Sequence, residues 1–209
     1  MMPTFEASNH DHPFYYAEEF MTMRYFKFIF SCWLLMMLCT AAMAYDFQQG
    51  MHGMKWGSSV SENGDLKKVH ETDLVSYYAR PNTIYQTSNQ LIPAVFYGFY
   101  NDKFFAVFIK LRSYRQLFNL KQSFDTGYEN AKSSFSTQSK QQVYRWNDGD
   151  VKIKLKMIEA EGQYKMAFYY SPLSTKLNEE RMENIPPGVY RLIAPKEGES
   201  AKALPLMKE

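Results

Sequence analysis

Two apolar, ring-rich runs, Ala94–Tyr100 and Phe104–Leu111, flank Asn101-Asp102-Lys103. The central residues have turn chemistry, so the stretch predicts a β-hairpin. Its second run is apolar at successive positions. That pattern suits either a central strand covered on both faces or a ring-rich surface meant for contact. Further on, Val151, Ile153, Leu155 and Met157 alternate strictly with Lys152, Lys154 and Lys156. This predicts a strand with one face in the core and one in water. Asn147-Asp148-Gly149 joins it to a preceding strand beginning at Val143, and Glu161-Gly162 turns the chain into a third, Tyr164–Tyr170.

Helical spacing is confined to a few places. Leu117, Leu120, Phe124 and Tyr128 recur on one helix face, with Ser113 placed to cap its start. Ser59-Val60-Ser61-Glu62 matches a capping box and predicts a short or broken helix running to Tyr78, ended by Arg80-Pro81-Asn82. Another short helix is predicted between Ser171-Pro172 and Glu183, stopped by Pro186-Pro187-Gly188. Residues 130–141 read as a polar loop, Val189–Ala194 as an edge strand and 195–209 as a flexible tail. The order of elements predicts an α+β fold, a single antiparallel β-sheet with helices packed on one side, over residues 45–194.

The N-terminal pattern concerns address. Arg24 and Lys27 precede an apolar run from Phe28 to Leu38, and Ala42-Met43-Ala44 supplies a small-x-small exit. That order is the pattern of a secretory signal peptide over 23–44, with cleavage between Ala44 and Tyr45. Phe28–Tyr45 barely reaches the length of a membrane span, so an uncleaved anchor is the alternative. Residues 1–22 are acidic and polar, and read as an over-called start or a disordered head, with Met21 or Met23 as the true first residue. Removing the leader leaves about 165 residues, one ordinary domain. It also removes Cys32 and Cys39, hence every thiol in the chain. With no Asn-x-Ser/Thr acceptor either, the composition favours a bacterial periplasm over a eukaryotic secretory route. A formal net charge of +2 is too mild for a nucleic-acid partner.

Candidate chemistry is sparse. His70, Glu71 and Asp73 lie close in sequence, but the His-Glu-x-x-His spacing of zinc hydrolases is missing, and a solvated face is the simpler reading. Asp148 and Asp150 around Gly149 read as turn chemistry, and His10-Asp11-His12 is too few ligands for a metal site. No catalytic residue, metal ligand or cofactor is assigned. Trp56 is a possible interaction residue, because tryptophan is enriched at binding hot spots, or else a core ring. Lys152, Lys154 and Lys156 form a basic ladder that could meet anionic lipid or an acidic partner, or keep an exposed strand soluble.

Gly53, Lys55, Trp56, Gly57 and Ser58, followed by Tyr97, Phe99, Asn101 and Lys103 in the hairpin, carry a resemblance. The chain resembles a loose group of secreted bacterial proteins that open with Gly-x-Lys-Trp-Gly-Ser/Thr. The resemblance implies an envelope location and nothing catalytic. The leading expectation is an exported, periplasmic, non-catalytic binding protein for an unknown envelope protein or surface, touching membrane only through an uncleaved leader. An envelope hydrolase using His70 and a single-pass inner-membrane-anchored module are the alternatives.

Overall fold

The structure, a computed structural model, describes residues 46–87, 90–92, 94–128, 131–190 and 201–207. The expected signal peptide, with its cleavage residues Ala42, Ala44 and Tyr45, lies outside them. The strands in chain order are β1 (Gly50–Met51), β2 (Met54–Lys55), β3 (Lys67–Glu71), β4 (Val75–Ala79), β5 (Thr83–Thr87) and β6 (Gln90–Ile92). They continue as β7 (Ala94–Tyr100), β8 (Lys103–Leu111), β9 (Lys132–Ser136), β10 (Gln141–Asp148), β11 (Val151–Ile158), β12 (Gln163–Tyr170) and β13 (Lys202–Pro205). The helices are α1 (Tyr114–Gly127), α2 (Ser171–Ser174) and α3 (Glu179–Met182).

Eight strands form one antiparallel sheet in the order β3-β4-β7-β8-β12-β11-β10-β9. The β7–β8 hairpin supplies its third and fourth strands. Asn101 and Asp102 both take positive φ, 49° and 59°, as a two-residue turn between Tyr100 and Lys103 requires. The register slips between Gly98 and Phe99, so Phe105 has no partner of its own across the ladder. This β-bulge puts Phe105 and its neighbour Ala106 in the same core cluster, although successive strand residues normally alternate. Gly98 belongs to the same device. A Cβ there would come within 2.9 Å of Phe108 Cε2 and 3.1 Å of Phe105 Cε1.

Both faces of this sheet are covered. On the first, Leu117, Leu120 and Phe124 of α1 pack with Ile153, Leu155, Met166 and Phe168. The same cluster takes in Phe47 and Met54 from the N-terminal lead-in, and Tyr85, Ile92 and Leu206 from a small second sheet, ordered β13-β5-β6. On the second face, Met182, Ile185 and Val189 cover Tyr77, Phe96, Phe108 and Tyr169.

These observations overturn the expected α+β fold with helices on one side of a single sheet. The described part of the chain is mostly β, with 48% of the described residues in strands and only three short helices among them. Those helices divide between the two faces, α1 on one, α2 and α3 on the other. The predicted helix from Ser59 stops after a single 3-10 turn, Val60–Glu62, although its capping box is formed. Val75, Tyr77 and Ala79 alternate as buried positions, and pairing β4 against β7 wins over the local helix signal. The predicted polar loop contains β9, whose five side chains are all exposed, so no apolar alternation marked it as a strand. The predicted flexible tail contains β13, paired in parallel with β5. The predicted edge strand at Val189–Ala194 falls mostly outside the described residues.

Candidate functional site

The lysine ladder does not face water. Lys154 is 2% exposed and Lys156 3%, and both are covered by the segment that carries α3. Lys154 Nζ stands 2.9 Å from Glu180 Oε1 and 2.9 Å from Glu183 Oε1, and 3.5 Å from Glu179 Oε2. Lys152 Nζ reaches Glu179 Oε1 at 2.6 Å, and Lys156 pairs with Glu180 and Glu183. Tyr169 OH donates to Glu183 Oε1 at 2.6 Å. Burial pulls the Lys154 ammonium down, but Glu183 and Glu180 outweigh it and hold it above its ordinary value. Burial pushes the Glu180 carboxyl up, and Lys156 and Lys154 overcome this and bring it down to about 2. The acidic partner of the ladder is therefore the chain itself, and Lys152, Lys154 and Lys156 are not an open docking face. The polar side of β11 was legible; the cover it receives from residues some 25 positions later was not.

Trp56 is half-buried. Its ring stacks on Phe104, centroids 4.6 Å apart, with Tyr170 parallel at 6.0 Å. Its Nε1 donates to the Phe47 carbonyl at 2.7 Å, which ties the lead-in down over the hairpin. Asp148 does the same from the β10–β11 turn, accepting from Phe47 N at 2.9 Å and Gln48 Nε2 at 3.0 Å. The residues singled out for hydrolysis do not converge. His70 packs its ring 5.5 Å from Tyr77, Glu71 is held by Lys68 and Ser76, and Asp73 is 89% exposed.

The described residues converge elsewhere, on His52, which no sequence motif singles out. It sits in the two-residue turn His52-Gly53 between β1 and β2, both with positive φ, 53° and 82°. Its Nε2 is 2.7 Å from the Leu206 carbonyl and its Nδ1 2.8 Å from Tyr97 OH. A carbonyl only accepts, so Nε2 carries the proton of the neutral ring and Nδ1 accepts from Tyr97. Tyr97 OH in turn lies 2.5 Å from Tyr85 OH, which leaves Tyr85 as its donor. The chain of donors thus runs Tyr85 to Tyr97 to His52 to Leu206, linking β5 of the small sheet, β7 of the large sheet, the β1–β2 turn and the residue that follows β13.

Arg80 closes the group from the side. One guanidinium nitrogen donates to the His52 carbonyl at 2.9 Å, Nε is 2.9 Å from Asp65 Oδ2, and the guanidinium lies 5.7 Å from the Tyr97 ring centre. Burial, and secondarily the Arg80 charge, bring the His52 imidazole down to about 4, against an opposing bond to Leu206. Tyr97 is pushed well up, first by burial and then by Tyr85. His52 is therefore neutral at pH 7.

Beside this group opens a cleft of about 670 Å³ between the β1–β2 hairpin and the C-terminal strand. Phe47, Met51, Met54, Leu204, Leu206 and Met207 supply apolar walls, and Lys55, Arg80 and Asp46 the charges. Its size falls in the range of small-molecule sites. The sequence offers only a His-Gly dipeptide between methionines and two leucines, Leu204 and Leu206, one residue apart near the end, neither of which is a motif. Among the described residues, no group of three His, Cys, Asp or Glu side chains could hold a metal ion, and no helix is long and apolar enough to cross a membrane. No family model matches the chain, and no curated protein or solved structure matches it either.

Proposed function

We propose that this chain is an exported, non-catalytic binding protein of the bacterial envelope whose ligand seat is the His52–Arg80 cleft. The leader over 23–44, with its exit at Ala42, Ala44 and Tyr45, and the Gly53–Ser58 resemblance support export. The observation that carries the binding reading is the occupancy of His52. Both ring nitrogens are already taken, by Tyr97 and by the Leu206 carbonyl, so the imidazole shapes a wall and has no nitrogen left to move a substrate proton. The apolar walls with Arg80 and Lys55 at hand suit a small ligand with an apolar body and an anionic head. The sheet faces, expected from the sequence to be the contact surface, are covered by α1 and by the α3 segment, which leaves the cleft as the better seat.

The probe is 8-anilinonaphthalene-1-sulfonate, which has that chemistry. Its fluorescence is expected to rise saturably with the folded chain, and to fall several-fold in Leu204→Glu, which puts a carboxylate in the cleft wall. An unchanged titration in a variant with native circular dichroism sinks the cleft as the seat. N-terminal sequencing of the chain recovered from an envelope fraction tests export separately, with Tyr45 expected first.

A further inference from the structure

The two ends of the large sheet are built differently. β3 carries Lys67, Lys68 and Glu71 among its five residues, and its register breaks between Lys68 and His70. Charges and bulges of that kind discourage pairing with another chain. β9, at the opposite end, reads Lys132-Ser133-Ser134-Phe135-Ser136, and every one of these residues is exposed. Its register against β10 is unbroken from Lys132 to Ser136. Among the described residues no strand lies along its outer side. Phe135 stands 58% exposed there, more than any other large apolar side chain among the described residues. An edge strand of unbroken register with one charge and a projecting ring is a template for a further strand.

We propose that β9 is a self-association edge, at which two copies of this chain pair antiparallel about a two-fold axis through Ser134. A two-fold pairing is self-complementary, because the same residues must serve on both sides. Centring it on Ser134, the middle residue, is the register that pairs all five positions. On one face Phe135 then lies opposite Ser133 of the partner subunit and diagonal to the partner's Phe135, a spacing of about 7–8 Å that aromatic rings span. Each ring covers the other. On the opposite face Lys132 lies opposite Ser136 of the partner subunit, so the strand's only charge meets no like charge. Lys132 sits at one end of the strand and its symmetry mate at the other, so the two ammonium groups stay apart; Arg145 of β10, whose guanidinium donates to Ser134 Oγ at 2.8 Å, shares that face. The edge is independent of the cleft and of export.

Two five-residue strands bury far less than the ~1,600 Å² of a standard interface, so the dimer is expected to dissociate on dilution. Sedimentation of the chain over a concentration series reads this directly. The expected result is a monomer–dimer equilibrium that Phe135→Lys weakens about tenfold or more, with circular dichroism unchanged, since it removes the ring contact and adds a charge to both strands. In a background with Cys32 and Cys39 changed to Ser, Ser134→Cys is expected to oxidise to a covalent dimer, because antiparallel neighbours at a two-fold axis come within disulfide reach, at a Cα separation of about 4.5–5.5 Å. Ser61→Cys, exposed elsewhere, is the control and is expected to stay monomeric. A chain that sediments as a monomer throughout, including one that captures a strand from a different protein while staying single, overturns the proposal. So does a dimer indifferent to Phe135→Lys, or a Ser134→Cys chain that cross-links no faster than the control.

Discussion

Both ring nitrogens of His52 have partners only while the ring is neutral. Adding a proton at Nδ1 forces Tyr97 to turn its hydroxyl away, which disturbs its bond to Tyr85, and places a second cation beside Arg80. This fixes the sign of the pH dependence. The folded-state value, about 4, lies below the unfolded 6.5, so the unfolded chain takes up the proton first as pH falls. The contribution is complete above pH 6.5 and is lost progressively down to pH 4, on the order of 3 kcal/mol for a shift of that size. Urea midpoints measured in steps across that window are expected to fall in the wild type. They are expected to stay flat down to about pH 4.5, where Glu180 begins to titrate, in His52→Asn, which tolerates the positive φ and cannot titrate. Matching slopes in the two chains would remove His52 from the account. Tyr97→Phe leaves the Tyr85 hydroxyl and His52 Nδ1 without their shared partner, and is expected to cost about 1–3 kcal/mol by the same measurement.

At the scale of elements, the alternation of Lys152, Lys154 and Lys156 marked β11 correctly as a strand and misled about its surroundings. A period of two says that the lysines share a face; it cannot say what lies on that face. The answer is held by Glu179, Glu180 and Glu183, which one helical turn brings onto the strand. With Lys154 2% exposed, Lys154→Ala takes one of two lysine partners from the buried Glu183 carboxylate, leaving Lys156 and the Tyr169 hydroxyl, and is expected to cost about 2–3 kcal/mol in a denaturant titration. A loss below about 1 kcal/mol, the range of exposed ion pairs, would mean that the pair is not buried as described. Glu180 supplies an acid window distinct from that of His52. Its folded value, about 2, is below the unfolded 4.5, so its contribution is present above pH 4.5 and lost as pH falls through 2. The same kind of limit explains the misread helix after Ser59. The capping box is real and forms, but it commits only one turn, and the alternation of Val75, Tyr77 and Ala79 makes the later residues a strand.

Over the whole molecule, what was legible is what local pattern controls: the β7–β8 hairpin, the β10–β11–β12 meander, and α1 with its Ser113 cap. What was not legible depends on contacts distant in sequence. β9 has no apolar alternation, and the strand exists because β10 offers it a ladder. The candidate site is the extreme case, since His52 and Leu206 meet across 154 positions. Nothing in Lys202–Pro205 alone, polar at its start and broken by a proline, separates a strand from a tail. Its membership of the fold rests on Leu206, fully buried among the first-face core, and on backbone bonds from Lys202 N to the Asn82 carbonyl and from Leu206 N to the Gln86 carbonyl, each 2.8 Å. Leu206→Ala separates the two descriptions. A tail residue is silent when truncated, whereas a fully buried leucine costs about 2–5 kcal/mol. The urea midpoint is expected to drop by that amount with its slope unchanged, since the same surface is exposed on unfolding. The variant is also expected to lose probe fluorescence in the cleft, because the carbonyl that orients His52 belongs to the displaced residue. Were the midpoint of Leu206→Ala to match the wild type, the C-terminal strand would not be part of the core, and the cleft it helps to wall would go with it.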